Sequence, residues 1–408
     1  DAGRLIRVGD LFPALAGAPA PIRPRRDPAG LRVLLHARPD AGPRPGGDMA
    51  VLEQLKLGLA QVGCAVNVSQ DPRADVGGYD IVHLFNVAHL PQATHIEACA
   101  RQALAQDVPY VITALMEDQP RYVGRAAVAF QVLRHYLDLG RPRGRLPELL
   151  KLLDQAPPAG MASLPFVAHH AGRILVSGHE EQATVLRHLP HVKTAIAPFG
   201  STVMEADVGP EPFIEAYGVR DFVLCVGRLE ARKNQLMLLA ALEDDDIPLV
   251  FAAGDFSFQP EYVAYCRRFG RRAPTLFLGR LAPEMLVSAY RAARVHCLPS
   301  WYELPGLVTL EAARYGAAVV SSRWGTIEDY LGDAGRYCEP DDPAGIRDAI
   351  LEALAAGPLP GAAERAAQWT WQRHARAVLA EYDAVLAGED PVEVAPAALA
   401  GPPGSKAR

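Results

Sequence analysis

The chain has 408 residues, half of them hydrophobic and 22% charged, and carries a net charge of −6 at pH 7. That length implies two or three globular domains, and the acidic balance argues against a general nucleic-acid binder. Six cysteines without a C-x-x-C pair argue against a disulfide framework or a zinc site, and no apolar run reaches the roughly eighteen residues that span a bilayer; together these predict a protein of the reducing cytoplasm.

In chain order, residues 1–30 are rich in Pro, Ala and Arg and read as an irregular lead-in. The first firm element is Leu31–His36, a short apolar run of the kind buried in parallel sheets. A Gly/Pro-rich loop and a helical pattern from Met49 to Gln61 follow. Strands are expected at 65–69, 79–86, 109–113, 173–177 and 194–197, separated mostly by helices, notably 94–106 and 180–189. Such alternation predicts a parallel sheet covered on both faces. Residues 119–155 break the rhythm as one long helical stretch carrying Arg121, Arg125, Arg134, Arg141, Arg143 and Arg145. Its basic amphipathic character suits either an anionic membrane surface or, as the commoner case, a packed helix with a solvated basic face.

A second alternation begins after Gly200, with strands at 222–226, 248–253, 275–278, 295–298 and 317–321. The helices 235–242, 261–269, 283–293, 307–315 and 344–355 lie between or after them. Residues 362–386 read as one terminal helix, and the Pro/Ala-rich end beyond Gly388 as a disordered tail. The fold class is therefore α/β, with two Rossmann-like doubly wound parallel-sheet domains facing a cleft. The expected division is 31–200 for the first domain, completed by a crossing helix at 362–388, 201–361 for the second, and 389–408 for the tail.

Two stretches carry chemistry. In Leu298–Gly316, Glu303 and Glu311 lie eight residues apart across a Pro-Gly break, one in a turn and one in the second turn of a helix. A helix N-terminus offers free amides and a positive dipole end, so it is a ready anion site. Two flanking carboxylates would hold hydroxyls on either side of a bound phosphate, the shape of a sugar-nucleotide site. The competing reading is a solvated loop glutamate and a helix-surface glutamate. In the loop Gly227–Asn234, GRLEARKN, Arg228 and Lys233 follow a strand and open a helix, a fork and a point charge that suit a diphosphate. Surface arginines in salt bridges are the alternative. The Gly46-Gly47-Asp48 turn permits close backbone approach to a ligand. No strand is followed by G-x-G-x-x-G, which lowers the prior for a nicotinamide or flavin enzyme.

These residues resemble the retaining nucleotide-sugar glycosyltransferases of family 4, which have the GT-B architecture of two Rossmann domains. The matching pieces are 226–234, 277–320 and 325–342, with looser matches at 44–66, 79–86, 173–181 and 198–203. The Trp371 segment is similar to that family's terminal helix, which crosses back to the first domain. The resemblance implies that Arg228 and Lys233 bind the donor diphosphate, that Glu311 holds the ribose, and that Glu303 contacts the transferred sugar. It further implies backbone contacts from Gly47, Gly227, Gly306, Leu307 and Val308, and a nucleotide base near Gly279, Arg280 and Leu281. No metal is expected to be obligatory, because the basic pair and the helix dipole take the place of magnesium.

The chain departs from the family where many relatives have T-x-H after the fourth strand, since Ala114 and Leu115 follow Thr113. His83 is a candidate substitute on the acceptor side, with Glu117 and Asp118. The implied function is retaining transfer from a UDP- or GDP-sugar to a hydroxyl in glycan biosynthesis, by a front-face mechanism. Expected partners are a lipid-linked saccharide, a polysaccharide or a small glycoside, with peripheral association at the inner membrane face and no nucleic acid. The alternatives are a catalytically silent sugar-nucleotide-binding module and a phosphorylase using free phosphate.

Overall fold

The computed structural model describes residues 30–39, 47–86, 93–142, 144–161, 163–202, 207–254 and 257–390. The lead-in before Gly30, Gly46, Arg143, Val203 and the tail beyond 390 lie outside the described residues. The chain divides into two compact units. The first takes Asp1–Glu117, Met161–Gly200 and Gln368–Arg408, and the second takes Asp118–Gly160 and Ser201–Ala367.

The first unit holds a six-stranded sheet in which every pairing is parallel. Its strands are β1 (Arg32–His36), β2 (Ala65–Ser69), β3 (Ile81–Phe85), β4 (Tyr110–Thr113), β5 (Arg173–Val176) and β6 (Thr194–Ile196), in the order β2-β1-β3-β4-β5-β6. Strands β3, β4 and β5 are buried at every residue, as expected for a sheet covered on both faces.

The terminal stretch read as one helix is two. Thr370 is extended, with φ −108° and ψ 154°, and its hydroxyl accepts a hydrogen bond from the Arg373 amide at 3.2 Å. That cap ends Ala362–Gln368 and starts Trp371–Leu386 afresh. The new helix closes the first unit by contact too tight for side chains. A Cβ on Gly200 would sit 2.3 Å from the Trp371 nitrogen. His83, on β3, joins the same helix to the sheet, with Nδ1 2.6 Å from the Tyr382 hydroxyl and Nε2 2.7 Å from the Thr113 hydroxyl.

The second unit adds β7 (Val223–Val226), β8 (Leu249–Ala252), β9 (Thr275–Leu278), β10 (Val295–Leu298), β11 (Ala318–Ser322) and β12 (Arg336–Cys338), all parallel, in the order β12-β11-β10-β7-β8-β9. The three-residue edge strand β12 is too short for periodicity to reveal, and the sequence pattern gave no sign of it. Strand order reverses between β7 and β10, as in the doubly wound dinucleotide-binding folds. Ligands of such sheets collect beyond the carboxyl ends of the strands at that reversal. The loops after β7 and β10 are the two stretches that carry the candidate residues.

The long helical stretch also resolves differently. It is a helix Gln119–Asp138, a short helix Leu146–Leu150 and a 3-10 turn Lys151–Gln155, interrupted where Gly140 takes φ +77°. Sequence order placed it in the first domain, but it packs in the second unit. Tyr122, Ala126, Ala129, Leu133 and Tyr136 form a buried stripe at helical spacing, and Phe130 meets Tyr262 edge-on at 5.3 Å. Arg125, Arg134 and Arg141 are engaged with acidic groups of the same unit. Arg134 pairs with Glu261 at 2.8 Å, Arg141 with Glu243 at 3.0 Å, and Arg125 with Asp341. No described helix is long and apolar enough to cross a membrane.

Burial, with the neighbouring His374, pushes the His83 pKa down to about 3. The unfolded chain binds a proton near pH 6.5 that the folded protein refuses. This contribution to stability is therefore complete above pH 6.5 and is lost as pH falls toward 3. Urea unfolding at pH 7.5 and pH 5 should show wild type losing about 2 kcal/mol more than His83→Gln over that interval. Equal losses in the two proteins would refute this assignment.

Candidate functional site

Beyond β7, Gly227 takes φ +141°, a conformation that L side chains rarely adopt, and turns the chain into the basic loop. Asn234 closes that loop in the left-handed region at φ +63°. Its buried amide donates to the carbonyls of Pro299 at 3.0 Å and Pro340 at 2.6 Å. One side chain thus staples the loops that follow β7, β10 and β12.

Lys233 reaches across the strand reversal to Glu303, with Nζ 2.5 Å from Oε1. Both side chains are withdrawn from water, at 13% and 7% exposure. Arg232 adds a second cation 3.8 Å from the same oxygen, while its guanidinium donates to the Tyr302 carbonyl at 2.8 Å. Burial pushes the Glu303 carboxyl up, but the Lys233 ammonium and the Arg232 guanidinium outweigh it and hold the group below the usual carboxylate range. The Glu303 main chain is pinned as well. Its amide donates to the Trp324 carbonyl and its carbonyl accepts from the Thr326 amide, both at 3.1 Å. Residue 325 must be glycine, because a Cβ there would sit 1.9 Å from the Glu303 oxygen.

The helix Leu307–Arg314 begins three residues later at Gly306, itself at φ +85°. Leu307 and Val308 stay half-exposed at its first turn, where free amides and the dipole favour an anion. Glu311 is buried at 8% exposure and accepts from the Tyr290 hydroxyl at 2.9 Å. Burial pushes its carboxyl up to about 7 against that bond and one from the Thr202 amide. The reading of two solvated glutamates is thereby excluded. Beneath the ion pair, His296 on β10 is fully buried. Burial, reinforced by the Lys233 ammonium, pushes it down to about 3, so it stays neutral.

The other expected residues are more dispersed. Arg228 does not join Lys233 on Glu303; its Nε lies 3.5 Å from Glu230, and its guanidinium sits 5.8 Å above the exposed Phe258 ring. Gly279 and Arg280 are exposed and Leu281 is half-buried, just past the end of the edge strand β9. Arg232 and Asn234 were missed, although both stand inside the loop singled out for its basic pair. The sequence signal was a third polar side chain on each side of Lys233.

In the first unit, Gly47 opens the helix Gly47–Gln61 with free space around its Cα. Beside it, a shallow depression lies at the ends of β1 and β3, where that sheet reverses its strand order; Arg38, Asp48, Met49, Phe85 and Asn86 line part of it. His83, expected on the acceptor side, lies inside the first unit. It is fully buried with both ring nitrogens engaged, because a neutral imidazole satisfies two hydroxyls at that depth. Glu117 is half-buried and Asp118 buried, on either side of the division between the units. The missed carboxylate is Glu181, which accepts from the amides of Met116 at 2.8 Å and Ser177 at 2.6 Å. It ties down the loop that contains Leu115, where the family's histidine would stand. Burial pushes the Glu181 carboxyl up to about 7.

Two six-stranded, all-parallel sheets of Rossmann type, one in each unit, are the hallmark of the GT-B fold. Residues 220–356, within the second unit, match the family model described as Glycosyl transferases group 1. The D-inositol 3-phosphate glycosyltransferase of Corynebacterium diphtheriae is 32% identical over 163 residues, 36% of this chain and 38% of that protein. The glycogen synthase of Mycobacterium tuberculosis is 32% identical over 182 residues, 41% of this chain and 43% of that protein. The chain thus spans about two-fifths of the length of these curated relatives. Sucrose-phosphate synthase of Thermosynechococcus elongatus superposes with a TM-score of 0.56 at 19% identity, covering 85% of this chain and 96% of that one. HepE of Anabaena, solved with UDP and glucose, superposes at 0.57 and 16% identity, covering 83% and 95%. These two likenesses concern the fold alone.

Removing one partner of a buried ion pair leaves the other charge uncompensated. Lys233→Met is expected to destabilise the second unit by roughly 3 kcal/mol, with much of the loss recovered in Lys233→Met/Glu303→Gln. Urea unfolding of the four proteins of this cycle measures both effects. A double variant no more stable than Lys233→Met would show that the pair is not the source of the loss.

Proposed function

We propose that this protein transfers a sugar from a UDP- or GDP-linked donor to a hydroxyl acceptor with retention at the anomeric carbon. The observation that carries the reading is the buried Lys233–Glu303 pair at the strand reversal, placed beside a helix N-terminus and the buried Glu311. HepE binds UDP and glucose on the same fold, which supports a nucleotide-sugar donor.

In this mechanism the donor diphosphate lies against the first turn of Leu307–Arg314, with backbone contacts from Gly306, Leu307 and Val308. Lys233 and Arg228 neutralise the charge that develops as the bond from the anomeric carbon to the phosphate oxygen breaks. Glu303, held ionised, accepts from hydroxyls of the transferred sugar and fixes its orientation. Glu311 accepts from the ribose. The base rests near Gly279, Arg280 and Leu281, and Gly227 lets backbone approach the phosphates. The acceptor oxygen bonds to the anomeric carbon from the face the phosphate leaves, and its proton passes to the departing phosphate oxygen. No protein base is needed, so the absence of the family's histidine at Leu115 leaves the chemistry intact. Glu117 and Asp118 remain the candidates for holding a polar acceptor such as a lipid-linked saccharide, a polysaccharide end or a small glycoside.

Thermal stabilisation by UDP-, GDP- and dTDP-sugars identifies the donor, since a ligand of the folded state raises its melting point. With that donor, Lys233→Ala and Glu303→Gln should each lower turnover by roughly 100-fold or more. NMR of an early product from an α-linked donor should show the α-anomer. A β-product would overturn the retaining mechanism, and unchanged nucleotide affinity in both Arg228→Ala and Lys233→Ala would overturn the diphosphate assignment.

A further inference from the structure

The helix Gln119–Asp138 is flanked in sequence by segments of the first unit, yet its first turn packs beside the Glu303 loop of the second. Two consecutive residues make the contact. The Arg121 guanidinium lies 4.1 Å above the Trp324 ring. The Tyr122 ring stacks on Tyr302 with centroids 5.8 Å apart and planes 20° from parallel.

Those two aromatics flank the site. Tyr302 directly precedes Glu303, and its carbonyl is the acceptor for Arg232. The Trp324 carbonyl is the acceptor for the Glu303 amide. Trp324 is held on its other sides by an edge-on contact with Trp301 at 5.8 Å and a bond from its indole N–H to Glu339 at 2.7 Å. The Trp301 amide in turn donates to the Arg232 carbonyl at 2.8 Å. Trp324, which grips the Glu303 amide, and Tyr302, which precedes Glu303, are thus themselves gripped, and Arg121 and Tyr122 supply the contacts from the helix Gln119–Asp138. Neighbouring helix residues point about 100° apart, which lets one dipeptide hold two separate aromatics.

Resting on the transferase reading, we propose that Arg121 and Tyr122 are positioning residues for Glu303. They clamp Trp324 and Tyr302 and so fix the carboxylate between Lys233 and the transferred sugar. Neither residue touches the reacting atoms. Their effect passes through the two rings, by cation–π contact at Trp324 and by stacking at Tyr302.

The test uses the full chain in two arms. In the first, Tyr122→Leu and Arg121→Met should lower kcat at least tenfold while the affinity for UDP or GDP, measured by calorimetry, changes less than threefold. Tyr122→Phe, which keeps the ring, should restore kcat to within twofold of wild type, as should Arg121→Lys. A fall in kcat that Tyr122→Phe fails to restore, or an unchanged kcat in both disruptive variants, overturns the proposal. The second arm needs no activity. In urea unfolding, Tyr122→Leu and Lys233→Met should depart from multiplicative effects on the unfolding constant by at least fivefold, because loosening the loop weakens the ion pair. Agreement within twofold overturns the positioning role. Wild type without turnover but with that coupling would refute the transferase reading and leave the clamp standing.

Discussion

The site depends on one buried charge pair. Bringing Glu303 and Lys233 out of water is costly, and their attraction offsets that only if the geometry is held and the remaining polar atoms are satisfied. The surroundings meet both conditions. Arg232 supplies a second cation, and the Trp324–Thr326 turn accepts and donates for the Glu303 main chain. Asn234 ties the lysine's own loop to Pro299 and Pro340, and Gly325 leaves room for the Glu303 carbonyl. Loop lengths, the positive-φ glycines and the short helix after Gly306 follow from keeping these two charges in register at the point where the strand order reverses.

The same environment separates the two glutamates. Both are buried, but Glu303 has cations beside it and Glu311 has a tyrosine hydroxyl and an amide. One is held ionised throughout the physiological range, and the other is poised near pH 7. In the proposed transfer, the permanently charged Glu303 is the acceptor assigned to the sugar whose bond breaks. The same proposal assigns the weaker-held Glu311 to neutral ribose hydroxyls, where no charge develops. The first unit is tuned in the opposite sense, with His36, His83 and His374 all pushed down by burial and neutral.

Much of this was legible from residue order. The eleven strands read from apolar runs are all present, because a strand covered on both faces leaves an unbroken apolar signature. The basic loop and the two glutamates also stood out, being polar groups at the ends of such runs. What was illegible shares one physical cause, dependence on partners distant in the chain. Asn234 matters through Pro299 and Pro340, Arg232 through Tyr302, and Glu181 through Met116. The break at Thr370 needed the cap geometry, and β12 was too short to carry a period. A lone histidine at a strand end, such as His83, looks the same in sequence whether it faces a substrate or two buried hydroxyls.

By itself, the sequence determined the alternation of strand and helix, the parallel sheets that alternation requires, and which loops carry charge. These are local properties, set by side-chain periodicity and by where it stops. Only the tertiary structure decided which charges meet. It paired Lys233 with Glu303 and left Arg228 beside Glu230. It buried both glutamates, and it assigned the helix Gln119–Asp138 to the unit that holds the site rather than to its neighbours in the chain. Pairing energies depend on distance and desolvation, and neither is written in residue order.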